Sequence, residues 1–195
     1  MIAALNLPDK RDWTVDDVAN LPEDLRYELI DGSLIMSPSP LPFHQFLGLE
    51  ISFALRACCP EDMLVSVDQS VRIDFRNEPR PDVVLIREEG AGRTPVLSAD
   101  VLLAVEILSP ESINRDQDAK MKVYAHGGIP YCWIIDPVGE AITFTEYQLS
   151  PGGEYYREMW TDRRVSIDRP WPVALDLPVW TQRRDRLNRV ARPVR

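Results

Sequence analysis

The sequence predicts a layered α/β or α+β fold, and three observations predict it. Asp82–Ile86 and Val101–Leu108 are nearly continuous apolar runs, the pattern of central strands covered on both faces. Phe43 to about Cys58 has helical periodicity: at about 100° per residue, Phe43, Leu47, Ile51, Ala54, Leu55 and Cys58 share one face. A second helix, Asp116–His126, ends at Gly127-Gly128 and leads into another apolar run, Tyr131–Ile135.

The elements follow in order. Thr14 caps a short helix to about Leu21, with Asp16 and Asp17 in the first turn, where the helix dipole favours anions. Tyr27–Ile30 and Leu34–Met36 flank Asp31-Gly32 and read as a hairpin. The prolines of Ser37–Pro42 exclude helix interior and mark a loop before the 43–58 helix. Met63–Val67 and Val71–Phe75 read as a first pair of strands. The Asp82 and Val101 strands follow, joined by a loop over Arg87–Asp100 that contains Gly90, Gly92 and Pro95. After Tyr131–Ile135, which Asp136-Pro137 closes, residues 141–168 alternate like a hairpin around a Ser-Pro-Gly-Gly turn at 150–153.

At 195 residues the chain suits one domain, assigned to residues 12–180, followed by a basic tail at 181–195. No apolar run has the length of a membrane span, and Met1–Asp12 lacks the pattern of a signal peptide. Cys58, Cys59 and Cys132 are odd in number and two are adjacent, which excludes a disulfide framework; their spacing gives no zinc motif. A reducing cytoplasm is the natural setting. The net charge of −9 argues against a protein that coats nucleic acid by bulk attraction. Residues 183–195, with six arginines and one aspartate, are the exception. They read either as a solvated terminus or as a contact to phosphates.

The informative charges are those in apolar surroundings. Glu106 is the single charge of Val101–Leu108, so it must be protonated, paired or bound to a metal. Asp82 opens another apolar strand, and adjacent strands would set the two carboxylates side by side at one sheet end. A divalent cation removes their repulsion, and oxygen donors suit Mg²⁺ or Mn²⁺ better than zinc. The other reading is an Asp82 at the surface and a Glu106 paired with a basic neighbour. Lys120 lies at a helical angle between Val123 and Tyr124, aimed at the sheet, whereas Lys122 falls on the opposite side with Asp118 and His126. Lys120 is either a site residue, an Asp116–Lys120 surface pair, or a lysine whose stem covers apolar surface. His44 shares a helical face with Ile51 and Leu55, and Glu28 lies within the Tyr27–Ile30 strand; both also read as scaffold. Among motifs, a Gly-rich phosphate loop, a local Ser/His/Asp signature, a helix-turn-helix and a zinc finger are absent from the sequence.

Several segments taken together resemble one family. They are Tyr27-Glu28-Leu29-Ile30-Asp31-Gly32, the Ser-Pro loop with His44, Arg80-Pro81-Asp82-Val83-Val84, Val105-Glu106-Ile107-Leu108-Ser109-Pro110, the helix with Lys120 and Tyr124, and Gly127 to Pro137. Their order and spacing resemble the Uma2 family of the PD-(D/E)XK restriction-endonuclease-like superfamily, over roughly residues 12–180. The resemblance implies a mixed central β-sheet flanked by helices and a metal-dependent nuclease acting on nucleic acid, DNA in the first instance, as a homodimer. It implies Asp82, Glu106 and Lys120 as catalytic residues. Asp82, Glu106 and the Ile107 carbonyl would be the ligands of Mg²⁺ or Mn²⁺, with Glu28 and His44 lining the site. The superfamily lysine two residues after the glutamate is replaced here by Leu108, and Lys120 from the following helix takes that place. The departure, with the acidic net charge, leaves a second reading: a nuclease fold retained as a binding or assembly module, or as a helper active only in a complex.

Overall fold

The apolar runs become the middle of a sheet whose strands are mostly antiparallel. The computed structural model describes residues 10–22, 25–36, 39–109 and 116–191. Ser37 and Pro38 of the expected loop, Pro110 of the family-like motif, the Asp116 side chain, Arg192 and Arg195 lie outside the described residues.

Helix α1 (Val15–Val18) starts at a Thr14 capping box closed by Asp17. Strands β1 (Tyr27–Ile30) and β2 (Ser33–Met36) form the expected hairpin. Asp31 (φ 49°) and Gly32 (φ 75°) are both left-handed, as a tight hairpin turn with this twist requires. The positive φ of Gly32 strains any other residue there, and a Cβ would also displace the Asp12 carboxylate.

Helix α2 (Pro42–Arg56) begins with proline in its first turn and buries Leu47, Ile51 and Leu55. Then come β3 (Met63–Val67), β4 (Val71–Arg72), β5 (Val83–Arg87), β6 (Val96–Leu97) and β7 (Val101–Ile107). Helix α3 (Asp116–His126) crosses over to β8 (Tyr131–Asp136), followed by β9 (Thr143–Leu149), β10 (Tyr155–Thr161), β11 (Arg164–Ile167), β12 (Val173–Asp176) and helix α4 (Leu177–Val190).

The central sheet has the order β10-β9-β8-β7-β5-β3. Only the β7–β8 pair within it is parallel, so the sheet is mixed. Strand alternation divides the core. Val83, Leu85, Leu103, Val105, Trp133 and Ile135 pack with α2 and with Leu177 and Trp180 of α4. Val84, Ile86, Ala104, Cys132 and Ile134 pack on the other side with Tyr124 of α3. At about 1.5–3 kcal/mol for each fully buried large aliphatic side chain, these two layers dominate the stabilisation.

One expectation needs correction. Met63–Val67 and Val71–Phe75 do not pair: β3 joins β5, and β4 is cut to two residues that pair in parallel with β6. The cause is a turn at residues 73–77. Ile73 N donates to Asn77 O at 3.0 Å, and the Asp74 carboxylate accepts from Arg76 N at 2.7 Å and from Asn77 Nδ2. The basic segment expected from 181 continues α4: Asp176 caps that helix by accepting from Val179 N, Pro178 stands in its first turn, and Trp180 is buried, so residues 181–190 are helical.

Candidate active site

Strand β7 carries Glu106 into the layer between the sheet and α3. Its register partner on β8 is Ile134, and its neighbour on the same face is Ala104. Lys120 and Tyr124, four residues apart on α3, project from one helix face towards it. Lys120 Nζ lies 3.0 Å from Glu106 Oε2, and the Tyr124 hydroxyl donates to Glu106 Oε1. The same ammonium is 2.6 Å from Glu28 Oε1.

Glu28 reaches this point because β1 is fastened to the chain before β5. Leu29 and Glu78 exchange two main-chain hydrogen bonds, and Arg80 N donates to Glu28 Oε1 at 2.8 Å. Glu28, Glu106 and Lys120 are each 8% exposed, which makes their mutual pairing obligatory.

Asp82 precedes β5. The antiparallel register sets Val83 against Val105, and one further step sets Asp82 against Glu106. Ile107 N donates to Asp82 Oδ2 at 2.7 Å. His44, in the first turn of α2, places Nε2 2.9 Å from the Ile107 carbonyl and 3.5 Å from Asp82 Oδ2. A carbonyl only accepts, so Nε2 carries the hydrogen. Burial holds the His44 pKa below its ordinary value, against the opposing pull of the Ile107 carbonyl, and the ring is neutral at pH 7.

The electrostatics are unbalanced. Three carboxylates (Glu28, Asp82 and Glu106) face one ammonium, Lys120. Burial pushes Glu106 up to about 7; Asp82 and Glu28 add to the rise, while Lys120 and Tyr124 oppose it. Burial likewise raises Asp82 to about 6, against the Ile107 amide and Lys120. For Lys120 burial acts downward, yet Glu106 and Glu28 outweigh it and keep the group a cation. Burial and the Glu106 charge hold the Tyr124 hydroxyl far above its usual range, so Tyr124 is a donor at any ordinary pH.

The donor chemistry fits a hard divalent cation: one carboxylate on β7 and one just before β5, the Ile107 carbonyl beside them, and uncompensated negative charge. Each carboxylate oxygen has lone-pair capacity beyond the hydrogen bond it accepts here. Among the described residues no preformed cluster of three or more His, Cys, Asp or Glu has the arrangement of a metal cage.

The family profile of Uma2, described as "Putative restriction endonuclease", matches residues 15–179. The chain belongs to the Uma2 family. Its fold is shared with the crystal structure of "a putative nuclease belonging to DUF820" from Anabaena variabilis. That likeness has a TM-score of 0.67 at 18% identity, over 87% of this chain and 97% of the other. No curated protein matches the chain significantly. Among the described residues, no helix is long and apolar enough to cross a membrane.

Within this Uma2 domain the structure brings Glu28, His44, Asp82, Glu106, Ile107 and Lys120 to one end of β5 and β7. Lys122 is exposed, and Leu108, at the strand position that the superfamily gives to lysine, is buried at 8% exposure. Sequence reasoning left three contributors unassigned. Tyr124 stands one helical turn from Lys120, and that spacing was its signal. Asp68, left-handed at φ 53°, donates its amide to the Asp82 carbonyl and accepts from Arg26 Nη2 at 2.6 Å. Arg80 Nη1 donates to the Asp68 carbonyl at 3.2 Å. Nothing local in the sequence marks Asp68, because its role depends on the turn between β3 and β4.

Proposed function

We propose that this Uma2 protein is a metal-dependent endonuclease that hydrolyses phosphodiester bonds of nucleic acid, with DNA as its substrate. The observation that carries the reading is the gathering of three carboxylates, Asp82, Glu106 and Glu28, around the Lys120 ammonium. A charge-balanced structural pair needs one carboxylate, whereas a site that recruits a divalent cation gains from an excess.

Asp82, Glu106 and the Ile107 carbonyl would hold Mg²⁺ or Mn²⁺, which when bound supplies Lewis acidity and charge neutralisation at the phosphate. His44, by donating to Ile107 O, fixes the direction of that carbonyl. Tyr124 and Lys120 fix the rotamer of Glu106. Lys120, kept protonated by its carboxylates, acts as a donor: it orients the attacking water and stabilises negative charge developing on the phosphate oxygens. Glu28 aims the ammonium. A homodimer, as the family resemblance implies, would supply one site for each strand of a duplex.

The test is nicking of supercoiled plasmid with Mg²⁺ or Mn²⁺, comparing wild type with Glu106→Gln. The expected loss is at least about 100-fold, the scale of removing a group that acts on transition-state charge. Equal nicking by both proteins would reject the site. The buried Leu108 supports a second reading, a nuclease fold kept as a binding or assembly module. Calorimetry that detects no Mn²⁺ binding dependent on Asp82 and Glu106 would favour it.

A further inference from the structure

Helix α4 concentrates positive charge in an acidic chain, and its packing fixes where that charge lies. Trp180 Nε1 donates to Glu50 Oε2 at 3.4 Å, and one turn later the Arg183 guanidinium covers the Phe46 ring at 4.9 Å. Three residues forward on α4 thus correspond to four residues backward on α2, so the two helices run antiparallel. The next turns of α4 therefore advance towards the start of α2, where His44 meets Asp82 and Ile107.

A second anchor agrees. The Arg184 guanidinium donates to the carbonyls of Pro137 and Gly139, both at 2.7 Å, and of Glu140 at 2.6 Å. Pro137 directly follows β8, whose Ile135 is level with Ile107 on parallel β7. Both anchors put the second half of α4 at the sheet end that carries the candidate site.

Arg183, Arg186 and Arg189 are exposed and recur every third residue, spanning an arc of about 120° that runs from the α2 edge, where Arg183 covers Phe46, to the outer side of the helix. Arg186 and Arg189 stand about 4.5 and 9 Å further along the axis than Arg183. Among the described residues the α4 arginine paired with a carboxylate is Arg184, with Asp185. Among the described residues no carboxylate pairs with the Arg183, Arg186 or Arg189 guanidinium, although carboxylates outnumber basic groups 31 to 22 in the whole chain.

We infer that the Arg183–Arg186–Arg189 face of α4 is the surface that grips the phosphate backbone of duplex nucleic acid and carries it to the site at the end of β5 and β7. The choice of nucleic acid as the occupant rests on the nuclease reading above. The charge logic is direct. The site itself is negative and repels a polyanion, so attraction must come from beside it. Guanidinium groups bind phosphate oxygens through paired donors. Successive arginines along one helix edge follow a backbone without reading bases, which suits a chain that lacks a recognised base-reading motif.

The experiment measures binding of a short fluorescent duplex by anisotropy, with chelator present so that no cleavage occurs, across about 50–200 mM salt. The full chain is compared with the triple variant Arg183→Glu/Arg186→Glu/Arg189→Glu. A control carries the same charge change on exposed Arg157, Arg163 and Arg164, in and beside β10 and β11. The α4 triple is expected to weaken binding at least 10-fold at low salt. It should also flatten the slope of log affinity against log salt by about 2.7, at about 0.9 for each of three phosphate contacts. The control should stay within about 3-fold of wild type.

Equal losses in both triples would reduce the effect to bulk charge and overturn the inference. So would unchanged duplex binding by the α4 triple, or a loss confined to vesicles rich in anionic phosphatidylserine. The nuclease reading fails separately. Duplex binding that depends on α4, in a wild type that never nicks plasmid with Mg²⁺ or Mn²⁺, upholds this surface and removes the enzyme. Nicking by wild type with no α4 dependence of binding does the reverse.

Discussion

Glu78 and Glu106 are both buried glutamates, 2% and 8% exposed, and the surroundings of each solve a different problem. Glu78 Oε2 accepts from Arg72 Nε at 3.2 Å and Nη2 at 2.9 Å, while Oε1 accepts from the Tyr27 and Ser70 hydroxyls, each at 3.1 Å. One guanidinium balances one carboxylate, and neutral donors complete the shell. Around Glu106 the donors are just as close, but Asp82 and Glu28 crowd the same space and Lys120 is shared. Burial of a carboxylate therefore does not mark a functional site by itself. The proposed site rests instead on burial with more negative than positive charge, a cost that a ligand can relieve.

The strongest way to break this comparison is to remove the cation from each cluster. Lys120→Met leaves Glu106 and Glu28 without their shared partner, and loss of one member of a buried ion pair costs about 3–5 kcal/mol. For a chain of this length that corresponds to a fall of roughly 6–20 °C in Tm, at about 2–4 °C per kcal/mol. Arg72→Met should cost clearly less, since the arginine is 37% exposed and Glu78 keeps two hydroxyl donors. Thermal unfolding in chelator ranks the two, and an equal or reversed order would show that the clusters are electrostatically alike.

Neutralising the glutamates reverses the ranking. Glu78→Gln removes half of a charge-assisted fork and should cost about 1–2 kcal/mol without altering cleavage. Glu106→Gln relieves repulsion from Asp82 and Glu28, and the Tyr124 hydroxyl can turn to accept from the new amide. Its stability should lie within about 1 kcal/mol of wild type or above it, while cleavage is lost. Denaturant titration of both variants decides. A Glu106→Gln protein as destabilised as Glu78→Gln would mean that Glu106 is a structural carboxylate after all.

The difference between the two glutamates also explains what the sequence could reveal. Glu106 stands out because Val101, Leu102, Leu103, Ala104, Val105, Ile107 and Leu108 surround it with apolar residues. Glu78 lies between Asn77 and Pro79 and looks like any turn residue; its burial arises from Arg72, Ser70 and Tyr27, which only tertiary packing brings together. Lys120 was legible through helical phase, because it shares one side of α3 with Val123 and Tyr124, both buried. Glu28 was legible only through resemblance, since a four-residue strand does not declare what its inner face meets. The two-residue partners β4 and β6 are too short to leave a period. Helix α4 was missed because its arginines dominate the composition, although Asp176 and Pro178 form a start signal and Leu177 and Trp180 an inner face.

The finest test separates the glutamates by pH. In metal-free protein Glu106 is raised from its ordinary 4.5 to about 7, and Asp82 from 3.8 to about 6, with burial the largest cause for both. A carboxylate raised on folding binds its proton more tightly in the native state. Its stabilising contribution is complete below the unfolded value, near 4.5 for Glu106, and is lost as pH rises through 7. Wild-type stability in chelator should therefore decline between these values, by up to about 1.4 kcal/mol per pH unit for each proton involved. Glu106→Gln removes the Glu106 share and flattens the decline, whereas Glu78→Gln leaves the Glu106–Asp82 pair intact and keeps the slope. Denaturant midpoints at half-unit steps from pH 4.5 to 7 give the three profiles. A Glu106→Gln profile parallel to wild type would place the titration elsewhere and remove the electrostatic distinction between the two clusters.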